Sequence, residues 1–166
     1  MVAGPAGQGR PTKMNGPTDS SVRLEILSDP SALGEVRDQI EGFALACGLG
    51  TEPAGRVVLA VDEALTNIIR HAYEGATDRP IEIDLARDGD ELVIVVRDHG
   101  RVVHPAAIRS RDLDDIRPGG LGVHIMNECM NCVEFTPADG GGTVLTMRKS
   151  ISAKEDLPPS DKRVST

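Results

Sequence analysis

Two apolar runs joined by a turn too short to hold a helix place the tightest constraint on this chain. Ile81, Ile83 and Leu85 alternate with Glu82 and Asp84, Asp88-Gly89-Asp90 makes a turn, and Leu92 to Val96 is continuously apolar. Such a hairpin imposes antiparallel pairing, and its unbroken second run predicts a strand in the middle of a sheet. A second hairpin is predicted from Val133 to Thr136 and Thr143 to Lys149, with Pro137 and the Gly140-Gly141-Gly142 run between them. One further alternating strand, Val22 to Leu27, comes first. Strands joined by hairpins rather than by helical crossovers imply a mixed, largely antiparallel sheet.

Helical spacing fills the gaps. Pro30 to about Cys47 is entered through Ser28-Asp29 and stopped at Gly48. The next helix takes Thr51 as N-cap, with Glu52 and Pro53 in its first turn. It carries Val57, Val58, Val61, Leu65, Ile68, Ile69 and Ala72 at helical spacing and is predicted to run to about His71. Pro118-Gly119-Gly120 opens a third, to about Asn131. Residues 99 to 118 show no period but carry Arg101, Arg109, Arg111, Arg117 and three aspartates, which reads as a long functional loop. The order β-α-α-β-β-loop-α-β-β predicts an α+β fold, a two-layer α/β sandwich with three helices on one face of the sheet.

Residues 1–20 and 152–166 are rich in Gly, Pro, Ser and charge and poor in large apolar side chains. They cannot bury enough surface to offset their ordering entropy, so one domain is expected over 21–151 between a disordered arm and a disordered tail. The 166-residue chain has a formal charge of -8 and a pI near 5.0, against direct nucleic-acid or membrane binding and in favour of a protein or small-molecule partner. No signal-peptide core or membrane-spanning run is visible, and a cytoplasmic location is expected. Cys129 and Cys132 form a lone CxxC without further soft ligands, and with Cys47 they are expected as packing thiols.

Chemistry is concentrated at three places. At 100° per residue, Glu63 and Asn67 fall opposite the stripe of Leu65, Ile68 and Ala72, one turn apart. A carboxylate beside a carboxamide can supply a proton acceptor and a neutral oxygen for a hard cation such as Mg²⁺, although on spacing alone a solvated polar face is the commoner reading. Asp98 follows an apolar strand and precedes His99-Gly100, where a carboxylate can accept from an exocyclic amine or simply make a turn. Gly119-Gly120-Leu121-Gly122 lets backbone approach a ligand at a helix start, a place suited to phosphate. Neither GxxxxGK[ST], a Rossmann fingerprint, HExxH nor GxSxG is present.

In order, DEALTNIIRHAYEG (62–75), VIVVRDHG (93–100), RPGGLGVHIM (117–126) and GGTVLTMRK (141–149) resemble the GHKL, or Bergerat-fold, ATPases, which include gyrase and histidine kinases. The short length and the wording of these segments most resemble the serine-kinase anti-sigma factors of bacterial partner-switching systems. The resemblance spans about 22–150. It implies Mg²⁺ coordination by Asn67, general-base action by Glu63, adenine recognition by Asp98 with support from Thr143, and room for the base at Gly100. It further implies an ATP lid from about His99 to Pro118, phosphate contacts at Gly120 and Gly122, and charge neutralisation on the γ-phosphate by Arg117. The implied reaction is γ-phosphoryl transfer from ATP to a serine of an anti-anti-sigma STAS-domain partner. Capture of a sigma factor or other output regulator, and homodimerisation, follow from the same likeness. One departure is that Arg101-Val102 follows Asp98-His99-Gly100 where many members carry DxGxG, which bears on the start of the lid. The alternative is a nucleotide-binding regulatory module without transfer, against which the retained Glu63 argues.

Overall fold

The computed structural model describes residues 20–101 and 121–152. Apart from Ser20 and Ser152, the expected arm and tail lie outside the described residues, as do residues 102–120, which hold most of the expected lid.

The chain runs through β1 (Ser21–Leu27), a 3₁₀ turn (Pro30–Ala32), α1 (Leu33–Ala46), α2 (Thr51–Asn67) and a π-helical segment (Ile68–Ala72). It continues through β2 (Pro80–Asp88), β3 (Glu91–Arg97), α3 (Leu121–Cys129), β4 (Cys132–Pro137) and β5 (Thr143–Ser150). The five strands are ordered β1-β2-β3-β5-β4, with β3 in the middle as its apolar run requires. All four pairings among the described residues are antiparallel, so the sheet they form contains no parallel pair and is not mixed. The one helical crossover, through α3, does join strands of like direction. However, β5 lies between β3 and β4, and the two never pair.

Register places Leu24, Ile83, Val96, Leu145 and Phe135 in one row across all five strands, and Leu85, Ile94, Met147 and Val133 in the next. These residues pack with Val36 and Ile40 of α1, Val57, Val61 and Leu65 of α2, and Met126 of α3 in one core. Each fully buried side chain contributes about 1.5–3 kcal/mol over an exposed one. The opposite face is polar at its β1 side, where Arg23 pairs with Glu82 and, at 3.5 Å, with Asp84. Cys47 and Cys129 are buried, Cys132 is half-buried, and all three are free thiols.

Three local details depart from the sequence reading. The N-cap of α2 is Gly50, not Thr51: Gly50 is extended (φ -70°, ψ 169°) and its carbonyl accepts from Ala54 at 3.0 Å. Pro30 opens a 3₁₀ turn instead of α1 itself, with the Asp29 carboxylate capping Ser31 N–H at 2.9 Å. The helical run does continue past Asn67 but changes to π geometry, the Tyr73 N–H reaching back five residues to the Ile68 carbonyl at 2.9 Å.

Candidate active site

Helix α2 presents Glu63 and Asn67 away from the sheet, yet both are half-buried. What covers them is the first turn of α3. A Cβ added to Gly122 would lie 2.8 Å from Glu63 Oε2 and 2.9 Å from Asn67 Nδ2. Gly122 therefore serves as a close-packing residue that seats α3 on this polar pair, a role that spacing along α2 alone could not show. The carboxylate, the carboxamide and the glycine of two separate sequence expectations meet at one spot.

The other end of the site lies where β3 ends. Asp98 is 3% exposed; its backbone N–H donates to the Thr143 carbonyl at 3.0 Å, and its Oδ1 accepts from Gly100 N–H at 2.8 Å. Thr143 is buried beside it, and its Oγ1 has no hydrogen-bond partner among the described residues. A buried hydroxyl without a partner calls for a polar guest. Together with the accepting Asp98 carboxylate, this hydroxyl makes a polar pair that an adenine edge would satisfy. Gly100 is required by crowding: a Cβ there would collide with the Ala72 carbonyl oxygen and come within 2.8 Å of its carbon. Sequence reading missed Tyr73 and Gly142, which frame this corner. Tyr73 lies inside the segment 62–75 and is the single tyrosine of the chain, a signal that was available.

The two ends are joined by the π segment, which begins immediately after Asn67 and ends with the Ala72 carbonyl accepting from Arg101 N–H at 3.3 Å. Arg117 and Gly120 lie outside the described residues. Among the described residues no cluster of three or more His, Cys, Asp or Glu side chains could hold a metal ion.

Burial, the largest cause, raises the Asp98 carboxyl above its ordinary value, against the hydrogen bonds from Gly100 and Thr143. The folded state thus disfavours the charge. Below the ordinary carboxylate range Asp98 is protonated in both states and no penalty applies; as pH rises through the raised value, ionisation destabilises the fold. Asp98→Asn is therefore expected to gain thermal stability over the wild type progressively from acidic to neutral pH, in melts without nucleotide. A Tm difference that is constant across that range would show that burial of the charge is not what the fold resists.

A family model described as the histidine kinase-like ATPase domain matches residues 26–149. The chain belongs to the histidine kinase-like ATPase family. Among relatives, the chain is 28% identical to the serine-protein kinase RsbW of Halalkalibacterium halodurans, over 81% of this chain and 86% of that protein. It is 27% identical to the anti-sigma F factor of Clostridium perfringens, over 81% of this chain and 99% of the other. The crystal structure of the RsbU and RsbW domains of Rv1364c from Mycobacterium tuberculosis superposes with a TM-score of 0.57 at 15% identity. That match covers 79% of this chain and only 32% of the larger one. The Erythrobacter litoralis blue-light activated histidine kinase gives a TM-score of 0.52 at 22% identity, over 80% and 44% of the two chains. These two likenesses establish the family's fold, the α+β sandwich read from the sequence. No helix among the described residues is long and apolar enough to cross a membrane.

Proposed function

We propose that this family member is an ATP-dependent serine protein kinase and anti-sigma factor. It phosphorylates a serine of an anti-anti-sigma STAS-domain protein and sequesters a sigma factor or equivalent regulator, acting in the cytoplasm as a homodimer. The observation that carries the reading is the convergence of Glu63, Asn67 and Gly122 at one end of a site whose other end holds Asp98 and the unpartnered Thr143 hydroxyl. The names of the serine-protein kinase and anti-sigma F relatives support the same direction.

In this reading the serine hydroxyl oxygen forms a bond to the γ-phosphorus as the bridging bond to the β-phosphate breaks, ADP leaves, and the hydroxyl proton passes to the Glu63 carboxylate. Asn67 would hold Mg²⁺ through its carboxamide oxygen, and the ion would supply positive charge against the phosphates. Asp98 and Thr143 fix the adenine, Gly100 and Gly122 permit close approach, and Gly120 and Arg117 serve the phosphates. Catalysis here is mainly positioning and electrostatics. Glu63 favours this reading over a binding module without transfer, since binding alone needs no base at that place.

The test is incubation of the purified protein with γ-labelled ATP, Mg²⁺ and the STAS-domain protein encoded nearest to it, beside Asn67→Ala. Labelled serine on the partner, absent with Asn67→Ala, is expected. ATP binding without label on any STAS candidate would transfer the case to the binding module, and no ATP binding would end both.

A further inference from the structure

Tyr73 is 8% exposed and stands at the exit of the π segment. The one extra residue in that turn rotates everything after it by about 100° relative to an unbroken α-helix, and so decides which way Tyr73 and the Ala72 carbonyl face. They face the loop after β3. The Tyr73 hydroxyl accepts a hydrogen bond from the His99 backbone N–H at 2.8 Å and donates one to the Pro80 carbonyl at 2.5 Å. Burial raises its pKa, which keeps the donor proton in place. One residue earlier, the Ala72 carbonyl takes the Arg101 N–H. The Asp98–His99 and Gly100–Arg101 peptides are thus held from the same π turn, while Gly100 N–H between them holds Asp98 Oδ1 at 2.8 Å.

We infer that Tyr73 is a positioning residue for base recognition: its hydroxyl, clasped between His99 and Pro80, holds the Asp98–Gly100 loop in the shape that selects adenine. The inference rests on the reading that Asp98 meets the adenine amino group. The clasp acts on the base end, whereas Glu63 and Asn67 lie before the π segment on regular helix. Loss of the hydroxyl should therefore loosen nucleotide selection and leave phosphoryl transfer intact. A merely structural tyrosine would lower both or neither.

Tyr73→Phe keeps the ring and removes only the clasp. Its affinity is measured for Mg-ATP and for Mg-bound inosine triphosphate, which carries an oxo group where adenine carries the amino group, together with the transfer rate at saturating ATP. ATP affinity is expected to fall about 5- to 30-fold, the consequence of one or two kcal/mol from unpartnered backbone groups. Inosine triphosphate affinity and the saturated rate should each stay within about twofold of the wild type, because neither uses the Asp98 contact that the clasp maintains. Equal losses for both nucleotides, or a lower saturated rate at unchanged ATP affinity, would overturn the inference. If the wild type itself binds no Mg-ATP, the kinase reading falls first and this one with it. Should Tyr73→Phe not fold, hydrogen exchange of the His99 amide in ATP-bound wild type decides: slow exchange supports the clasp, and exchange as fast as in an open loop refutes it.

Discussion

Glu63→Ala is expected to lower serine phosphorylation by about 10²- to 10⁴-fold, the usual worth of a positioned base, while Mg-ATP still binds. The separation of rate from affinity is the informative part. Glu63 lies one helical turn from Asn67, and its Oε2 sits directly under Gly122, so truncation removes both a proton acceptor and the floor on which α3 rests. Glu63→Gln resolves the two: it retains the shape under Gly122 but has no basic oxygen to take the serine proton. If the base is what matters, both variants lose transfer to a similar degree in single-turnover assays. If support of α3 is what matters, Glu63→Gln keeps most of the rate and Glu63→Ala loses nucleotide affinity as well. A wild-type rate in both would remove Glu63 from the chemistry.

The sequence carried much of this design because its strongest signals were local. Alternation at Ile81, Ile83 and Leu85 and the Asp88-Gly89-Asp90 turn specify a hairpin on their own, and the structure pairs Leu85 with Ile94 as that turn requires. The 3.6-residue period likewise identifies α2 and the face it buries. What was not legible depends on contacts between distant segments. The spacing of Glu63 and Asn67 gives their common side of α2 but cannot tell solvent from the underside of α3, which lies more than fifty residues later in the chain. The change from α to π after Asn67 leaves the apolar pattern of Ile68, Ile69 and Ala72 almost intact, so periodicity is blind to it. Tyr73 could be noticed as part of a segment but not assigned, since its two partners, His99 and Pro80, are backbone groups that carry no sequence signature.

The glycine run between β4 and β5 shows the same boundary between local and distant causes, and a substitution series can measure it. Gly140, Gly141 and Gly142 have φ of +88°, +105° and +88°, all in the region where a side chain is strained. Alanine at any of them is expected to cost about 1–2 kcal/mol from that backbone geometry alone. Nothing lies within 4 Å of a Cβ at Gly140 or Gly141, but at Gly142 it would overlap the Asp98 carbonyl oxygen and lie 2.7 Å from His99 Cα. Backbone cannot swing aside as a side chain can, so Gly142→Ala adds about 1–3 kcal/mol of overpacking. The total, about 2–5 kcal/mol, is a large share of the roughly 5–15 kcal/mol that holds a domain folded. Its Tm should fall well below those of the other two variants. The displacement also lands on the peptide after Asp98, so Gly142→Ala should lose ATP affinity at temperatures where it is still folded, whereas Gly140→Ala and Gly141→Ala keep it. Equal Tm losses and equal affinities across the three would mean that the turn can move away from β3 without disturbing the base end, and that the close approach of Gly142 to Asp98 is incidental to binding.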